Sequence, residues 1–279
     1  MGRVERRQYR MRRRQTTTRF LLVLSLLVIA AGLYHRMAEN GGVSIARIVR
    51  PTATPVAPAY DETMVEREVT LPEETWYALQ TGVFSDEKSA KARAEAYAER
   101  GAPGLVVQDG ERFRVFIAGY AERADAASIR ERLNSQQDVE TYLYSWVCPA
   151  VTLKMSGMAG QVDVVESGLS MALQAAVLLR DYAIAYDQGG VTMDDVQSLI
   201  QGLDSQFLAW TDTVGRRFGK PYPEIITEEM ALVQCWKSAD SAILSAAQEG
   251  ATAMSASMKR YAMTLYADVI DMRNRLEST

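Results

Sequence analysis

From Trp76 to Trp146 the chain runs through one pattern of apolar and polar positions twice. The first copy opens on Trp76-Tyr77-Ala78-Leu79-Gln80-Thr81-Gly82, turns helical near Ser85–Arg100 and ends on apolar Leu105-Val106-Val107. The second opens on Phe113-Arg114-Val115-Phe116-Ile117-Ala118-Gly119, turns helical near Glu122–Leu133 and ends on Val139–Trp146. Alternation marks strands and a 3.6-residue period marks helices, so this order predicts βαββαβ. The expected fold is a compact α+β domain over residues 74–147, a four-stranded antiparallel sheet with two helices on one face. Ser85 is the expected N-cap of the first helix, with Asp86 and Glu87 in its first turn, and Gly101 stops it. Asp109-Gly110 is a hairpin signal, so the second and third strands should be antiparallel neighbours.

After Cys148-Pro149 the period becomes helical, from about Ser156, and residues 150–279 read as an all-α helical bundle. Val162, Val165, Leu169, Leu173, Ala176, Leu179, Ala183 and Tyr186 stripe one long helix that ends at Gly189-Gly190. Thr192-Met193-Asp194-Asp195 resembles a capping box, and the helix behind it carries Leu199, Leu203, Phe207, Trp210 and Val214. Thr227-Glu228-Glu229 is the expected cap of a third. Gly250 leaves open whether that segment is one helix or two, because a single glycine costs only about 1 kcal/mol inside a helix. The bundle therefore has three or four antiparallel helices.

Ahead of the repeat lies Phe20–Tyr34, an uncharged apolar run somewhat short of a ~30 Å hydrocarbon core. Arg19 and Arg36 can snorkel outward from its ends. Residues 1–19 hold eight Arg and one Glu, a surplus of seven positive charges, so the rest carries −11 of the overall −4. Basic residues before an apolar run predict a cytoplasmic tail at 1–19, a transmembrane helix at 20–35, and everything beyond it outside the membrane. A cleaved signal peptide is the rival reading, since Ala30-Ala31-Gly32 offers a small-x-small site. Residues 36–73, with Pro51, Pro55, Pro58 and Pro72, read as a linker. The acidic body argues against nucleic acid as a partner.

The one histidine, His35, lies at the membrane boundary. There it cannot serve Ser-His-Asp or Cys-His catalysis, nor a His-ligated zinc site. No metal and no cofactor are expected. Cys148 and Cys235 either pair, which an extracytoplasmic setting permits, or are small buried hydrophobes.

The sheet face turned away from the two helices carries the candidate chemistry. Alternation puts Trp76, Ala78 and Gln80 on one side of the first strand, and Arg112, Arg114 and Phe116 on the matching side of the third. In the last strand Tyr142, Tyr144 and Trp146 are assigned to the same side. Aromatic planes stack on sugar rings, a guanidinium pairs with a carboxylate, and a Gln amide serves hydroxyl and N-acetyl groups. Together these suit an acidic polysaccharide, and outside a bacterial membrane that means peptidoglycan with its lactyl carboxylates. The candidate glycan-binding residues are Gln80, Arg114, Arg112, Trp76, Phe116, Tyr142 and Tyr144. An equally available reading is an amphipathic face covered by the helical domain or by a partner protein. An RNA-recognition sheet shares the topology, but Arg112–Phe116 lacks its glycine-aromatic spacing.

Gln80-Thr81-Gly82-Val83-Phe84, a helix with Ala90, then Arg114-Val115, Gly119-Tyr120 and Ala126 resemble the SPOR (sporulation-related repeat) family over about Glu74–Trp146. Gln80 and Arg114 match the family's sheet-face residues. Val83 stands where Ser is usual, which removes one polar contact to the ligand, and Tyr120-Ala121 stands where Pro-Phe is usual; both departures bear on affinity more than on fold. The resemblance implies binding to denuded glycan, peptidoglycan strands stripped of stem peptides, at division septa. The layout of tail, single span, linker and outer domain is similar to that of the stage II sporulation protein B family and of bitopic division proteins.

The leading expectation is a membrane-anchored, non-enzymatic peptidoglycan-binding protein of cell division or sporulation, held by its N-terminal helix. The helical domain would engage a protein partner or a second copy. One alternative is a cell-wall hydrolase targeted by the SPOR-like domain, with Glu166, Glu228 or Glu229 as the working carboxylate. The other is a scaffold whose sheet face binds a protein.

Overall fold

The structure, a computed structural model, describes residues 63–136 and 139–277. The basic tail, the apolar run, His35 and linker residues 36–62 lie outside the described residues.

The sheet expected from the repeat is present. Strands β2 (Glu74–Phe84), β3 (Leu105–Asp109), β4 (Arg112–Tyr120) and β5 (Tyr142–Cys148) lie in the order β3-β4-β2-β5, all antiparallel. Helices α1 (Glu87–Ala98) and α2 (Arg123–Gln136) cover one face. Ala90, Ala94, Tyr97 and Ala126 bury there against Leu79, Val115 and Ile117. Asp86 caps α1, not Ser85: its carboxylate accepts from the Ser89 N–H at 2.8 Å. Serine was the nearer fit to the polar-to-apolar boundary, but the aspartate one residue on reaches the third amide of the helix.

Two strands were not foreseen. β1 (Met64–Leu71) occupies the end of the expected linker, and β6 (Val151–Met158) takes up the start of the expected bundle. They pair antiparallel over their full length, Met64 opposite Met158 and Leu71 opposite Val151. This ribbon continues the β2–β5 pair, from which Pro72-Glu73 and Pro149-Ala150 separate it. Proline has no N–H to donate, so the ladder breaks there. Arg273, 1% exposed, closes the gap: its Nη1 donates to the carbonyls of Pro72 at 2.7 Å and Pro149 at 2.8 Å.

The C-terminal region, among the described residues, forms four helices: α3 (Ala159–Asp187), α4 (Met193–Arg217), α5 (Glu224–Glu249) and α6 (Ala251–Glu277). Thr192 and Asp195 form the capping box at the head of α4. α5 begins at Glu224, three residues before the expected Thr227 cap, since Pro223 already supplies the turn into the helix. Gly250 has φ +124°, outside the helical range, and separates α5 from α6. Among the described residues, α3 is the helix long and apolar enough to cross a membrane. Half of its most apolar stretch is buried inside the protein, where Leu169, Ala172, Ala176 and Leu179 face the other helices.

The sheet and the bundle share a core. One apolar cluster joins Val69 and Leu71 of the ribbon, Trp76, Ala78, Phe116 and Trp146 of the sheet, and the interior of α3–α6. The two parts read as separate domains in the sequence form one packed body. Cys148 and Cys235 are both free thiols, and burial pushes Cys148 up to about 11.

Candidate functional site

Alternation sorted the strand faces as expected, and the sheet face opposite α1 and α2 does carry Trp76, Ala78, Gln80, Arg112, Arg114, Phe116, Tyr142, Tyr144 and Trp146. Its two ends have different environments.

Toward the ribbon the face is closed. Trp76 and Phe116 are 0% exposed. Tyr266 of α6 stacks on Trp76 with ring centroids 4.1 Å apart and planes 9° from parallel. The Arg180 guanidinium of α3 lies 4.5 Å from the Trp76 ring, a desolvated cation–π contact worth about 2 kcal/mol. Trp146 meets Tyr266 edge-on at 5.2 Å and Phe116 in a stack at 5.1 Å. The Tyr266 hydroxyl sits 2.8 Å from the carbonyls of both Glu74 and Trp146, and burial drives its ionisation far above the ordinary tyrosine range. Trp76 and Phe116 therefore cannot stack on a sugar, and the expectation of a wholly open face fails at these two residues. The physical reason is that large aromatic rings beside alanine serve an interior at least as well as a glycan.

Toward the far end of the strands the face opens by degrees: Gln80 is 9% exposed, Arg114 and Tyr144 are half-buried, and Arg112 and Tyr142 are exposed. There β2 bulges: Gln80 pairs with Phe116 and Gly82 with Val115, leaving Thr81 as the extra residue. Bulges re-aim side chains beside functional sites. A Cβ on Gly82 would sit 2.8 Å from the Phe84 ring, so the sequence Gln-Thr-Gly-Val-Phe encodes a bulge, a close approach and an aromatic plug. The bulge brings Gln80 to Arg114, whose Nη1 donates to Gln80 Oε1 at 2.8 Å. Arg114 Nε donates to Asp109 Oδ2 at 2.6 Å, and the guanidinium lies 4.7 Å from the centre of the Tyr144 ring. Arg112 is exposed, and among the described residues no hydrogen bond or ion pair holds its side chain. Tyr142 is 53% exposed and donates its hydroxyl to Glu140.

This cluster of a glutamine, two arginines and two tyrosines lies inside residues 73–144, which match the family model of the SPOR domain. By that match this segment is similar to SPOR domains. SPOR domains are in general peptidoglycan-binding domains of cell division. Of the residues assigned to glycan, Arg114, Arg112, Tyr142 and Tyr144 lie at the more open end of the sheet face, Gln80 lies at its edge and is itself buried at 9% exposure, and Trp76 and Phe116 are sealed. No curated protein and no solved structure matches the chain.

Three residues at this face were missed. Asp109 was read only as a turn residue. Its position opposite Arg112 and diagonal to Arg114 across the β3–β4 hairpin, two pairs beyond Val107, is the available signal. Tyr266 and Arg180 sit on helical stripes, where nothing in the sequence says that they face the SPOR sheet.

The three carboxylates weighed for hydrolysis are placed apart from this cluster. Glu166 pairs with Arg67 at 2.8 Å, beside Asp163 at 2.7 Å. Glu228 pairs with Arg275 at 2.5 Å. Glu229 is 2% exposed, packs against Gly168 and has no hydrogen-bond partner among the described residues, and burial pushes it up to about 9. Among the described residues no cluster of three or more His, Cys, Asp or Glu could hold a metal ion.

Proposed function

We propose that the protein is a membrane-anchored, non-enzymatic peptidoglycan-binding protein that docks on denuded septal glycan through the open end of its SPOR sheet. The observation that carries this is the Gln80–Arg114–Tyr144 cluster: hydrogen-bonding groups fixed on a rigid sheet beside an aromatic ring, with Gln80 itself 9% exposed and Arg114 and Tyr144 half-buried at the rim, while Trp76 and Phe116 are sealed. Polar groups positioned in advance lose little entropy on binding. A non-enzymatic role fits carboxylates that are either ion-paired on the surface or shut inside the bundle. The anchor rests on the apolar run at 20–35 behind its arginines.

The test is a pulldown of the detergent-solubilised full-length chain on amidase-treated and untreated sacculi. The reading expects strong retention on treated sacculi, reduced at least about tenfold by Gln80→Ala or Arg114→Ala, a loss of about 1.4 kcal/mol. Equal, weak retention on both would overturn it. A fluorescent fusion that fails to concentrate at the septum would count against the septal part.

A further inference from the structure

The bonds around Arg114 constrain what the site can recognise. A guanidinium only donates, so the Gln80 carboxamide must turn its oxygen toward Arg114 Nη1, as it does at 2.8 Å. Gln80, only 9% exposed, is then left with its Nε2 hydrogens to offer at the edge of the face. Arg114 Nε is committed to Asp109 Oδ2 at 2.6 Å, which places a negative charge directly on that guanidinium. Among the described residues nothing accepts from Arg114 Nη2. The Tyr144 ring beneath holds the guanidinium plane in place. What the pair presents to a ligand is a set of N–H donors whose net charge is already balanced.

An incoming carboxylate would gain the pairing energy of Arg114 only by displacing Asp109, or by binding with two anions on one guanidinium. A neutral oxygen, such as an N-acetyl carbonyl or a sugar hydroxyl, meets the free N–H groups without either cost. We infer that Asp109 sets the ligand preference of the SPOR sheet: by pairing with Arg114 it makes the Gln80–Arg114 pair a reader of neutral N-acetyl or hydroxyl oxygens and not of the lactyl carboxylate. Asp109 is a positioning residue that acts through Arg114. This deepens the glycan reading above and rests on it. It also reverses the sequence-based assignment of a carboxylate to Arg114 and leaves Arg112 as the cation available to one.

The experiment uses the full-length chain and two probes, denuded glycan strands with intact lactyl carboxylates and the same strands with those carboxylates reduced to alcohols. It is run in wild type, in Arg112→Gln to remove the second guanidinium, and in Arg112→Gln combined with Asp109→Asn. Arg112→Gln is expected to bind the two probes within about threefold of each other, with little dependence on salt, since a neutral hydrogen bond is not screened. Adding Asp109→Asn should produce at least about a tenfold preference for the carboxylate-bearing strands, lost as salt rises. A merely structural role for Asp109 would weaken both probes alike and overturn the inference. So would a tenfold carboxylate preference already present in Arg112→Gln. Failure of wild type to retain either probe would overturn the glycan reading itself, and the inference with it.

Discussion

Tyr266 lies flat against Trp76, ring on ring at 4.1 Å, and its hydroxyl reaches the backbone of β2 and β5. The last helix of the chain is thus stacked on the first strand of the SPOR sheet and bonded to its backbone. Stacking adds about 0.5–1.5 kcal/mol beyond the area it buries, and the hydroxyl adds a hydrogen bond to either carbonyl in turn.

Replacing Tyr266 separates these contributions. Tyr266→Phe keeps the ring and should cost about 1–2 kcal/mol, since buried carbonyls lose their donor. Tyr266→Ala should cost about 3–5 kcal/mol and leave a cavity over Trp76. Denaturant unfolding followed by tryptophan fluorescence reads both. A cost for Tyr266→Ala below about 1 kcal/mol would mean that α6 is not seated on the sheet.

Glu229 gives the bundle a pH dependence whose sign is fixed by its burial. Its folded value, about 9, lies above the ordinary 4.5. Below pH 4.5 the carboxyl is protonated in both folded and unfolded chains and costs nothing differential. Between 4.5 and about 9 the unfolded chain releases the proton and the folded one keeps it, so stability falls as pH rises, then levels off. Glu229→Gln removes this titration. The stability of the variant relative to wild type should climb by up to about 1.4 kcal/mol per pH unit across that window. A difference that stays flat from pH 5 to 9 would show that Glu229 is solvated.

Gly82→Ala tests the bulge. Its Cβ would stand 2.8 Å from the Phe84 ring, and Phe84 plugs the cluster of Ala90, Ala94 and Val115. Overpacking of this kind costs about 1–3 kcal/mol. Because the same bulge aims Gln80 at Arg114, the substitution should also weaken glycan retention in folded protein, read by pulldown below the melting transition. A stable variant with undiminished retention would detach the bulge from binding.

The repeat made the SPOR sheet legible, because alternation at Trp76–Gly82 and Phe113–Gly119 is unambiguous and Asp109-Gly110 fixes the hairpin. The capping box at Thr192 was equally readable, since both of its bonds are local. The ribbon was not. Met64–Leu71 mixes four charged or polar side chains with Met, Val and Leu behind a proline-rich stretch, and its partner β6 is separated from it by the whole SPOR domain. Trp76 shows the limit most clearly. Its place on the face opposite α1 and α2 followed from parity, but its burial depends on Tyr266, 190 residues away, and strand parity carries no information about that neighbour.

Arg273 has a mechanical consequence. The polypeptide enters this body through Met64, so a load arriving from the N-terminal side meets β1 first and peels it from β6 one cross-strand pair at a time. Past Leu71 the next fastening is the Arg273 bridge between Pro72 and Pro149. Arg273 belongs to α6, so the pull is handed to the last helix before it reaches the strands that hold Gln80 and Arg114, and the ribbon can yield like a fuse while the gripping surface keeps its form.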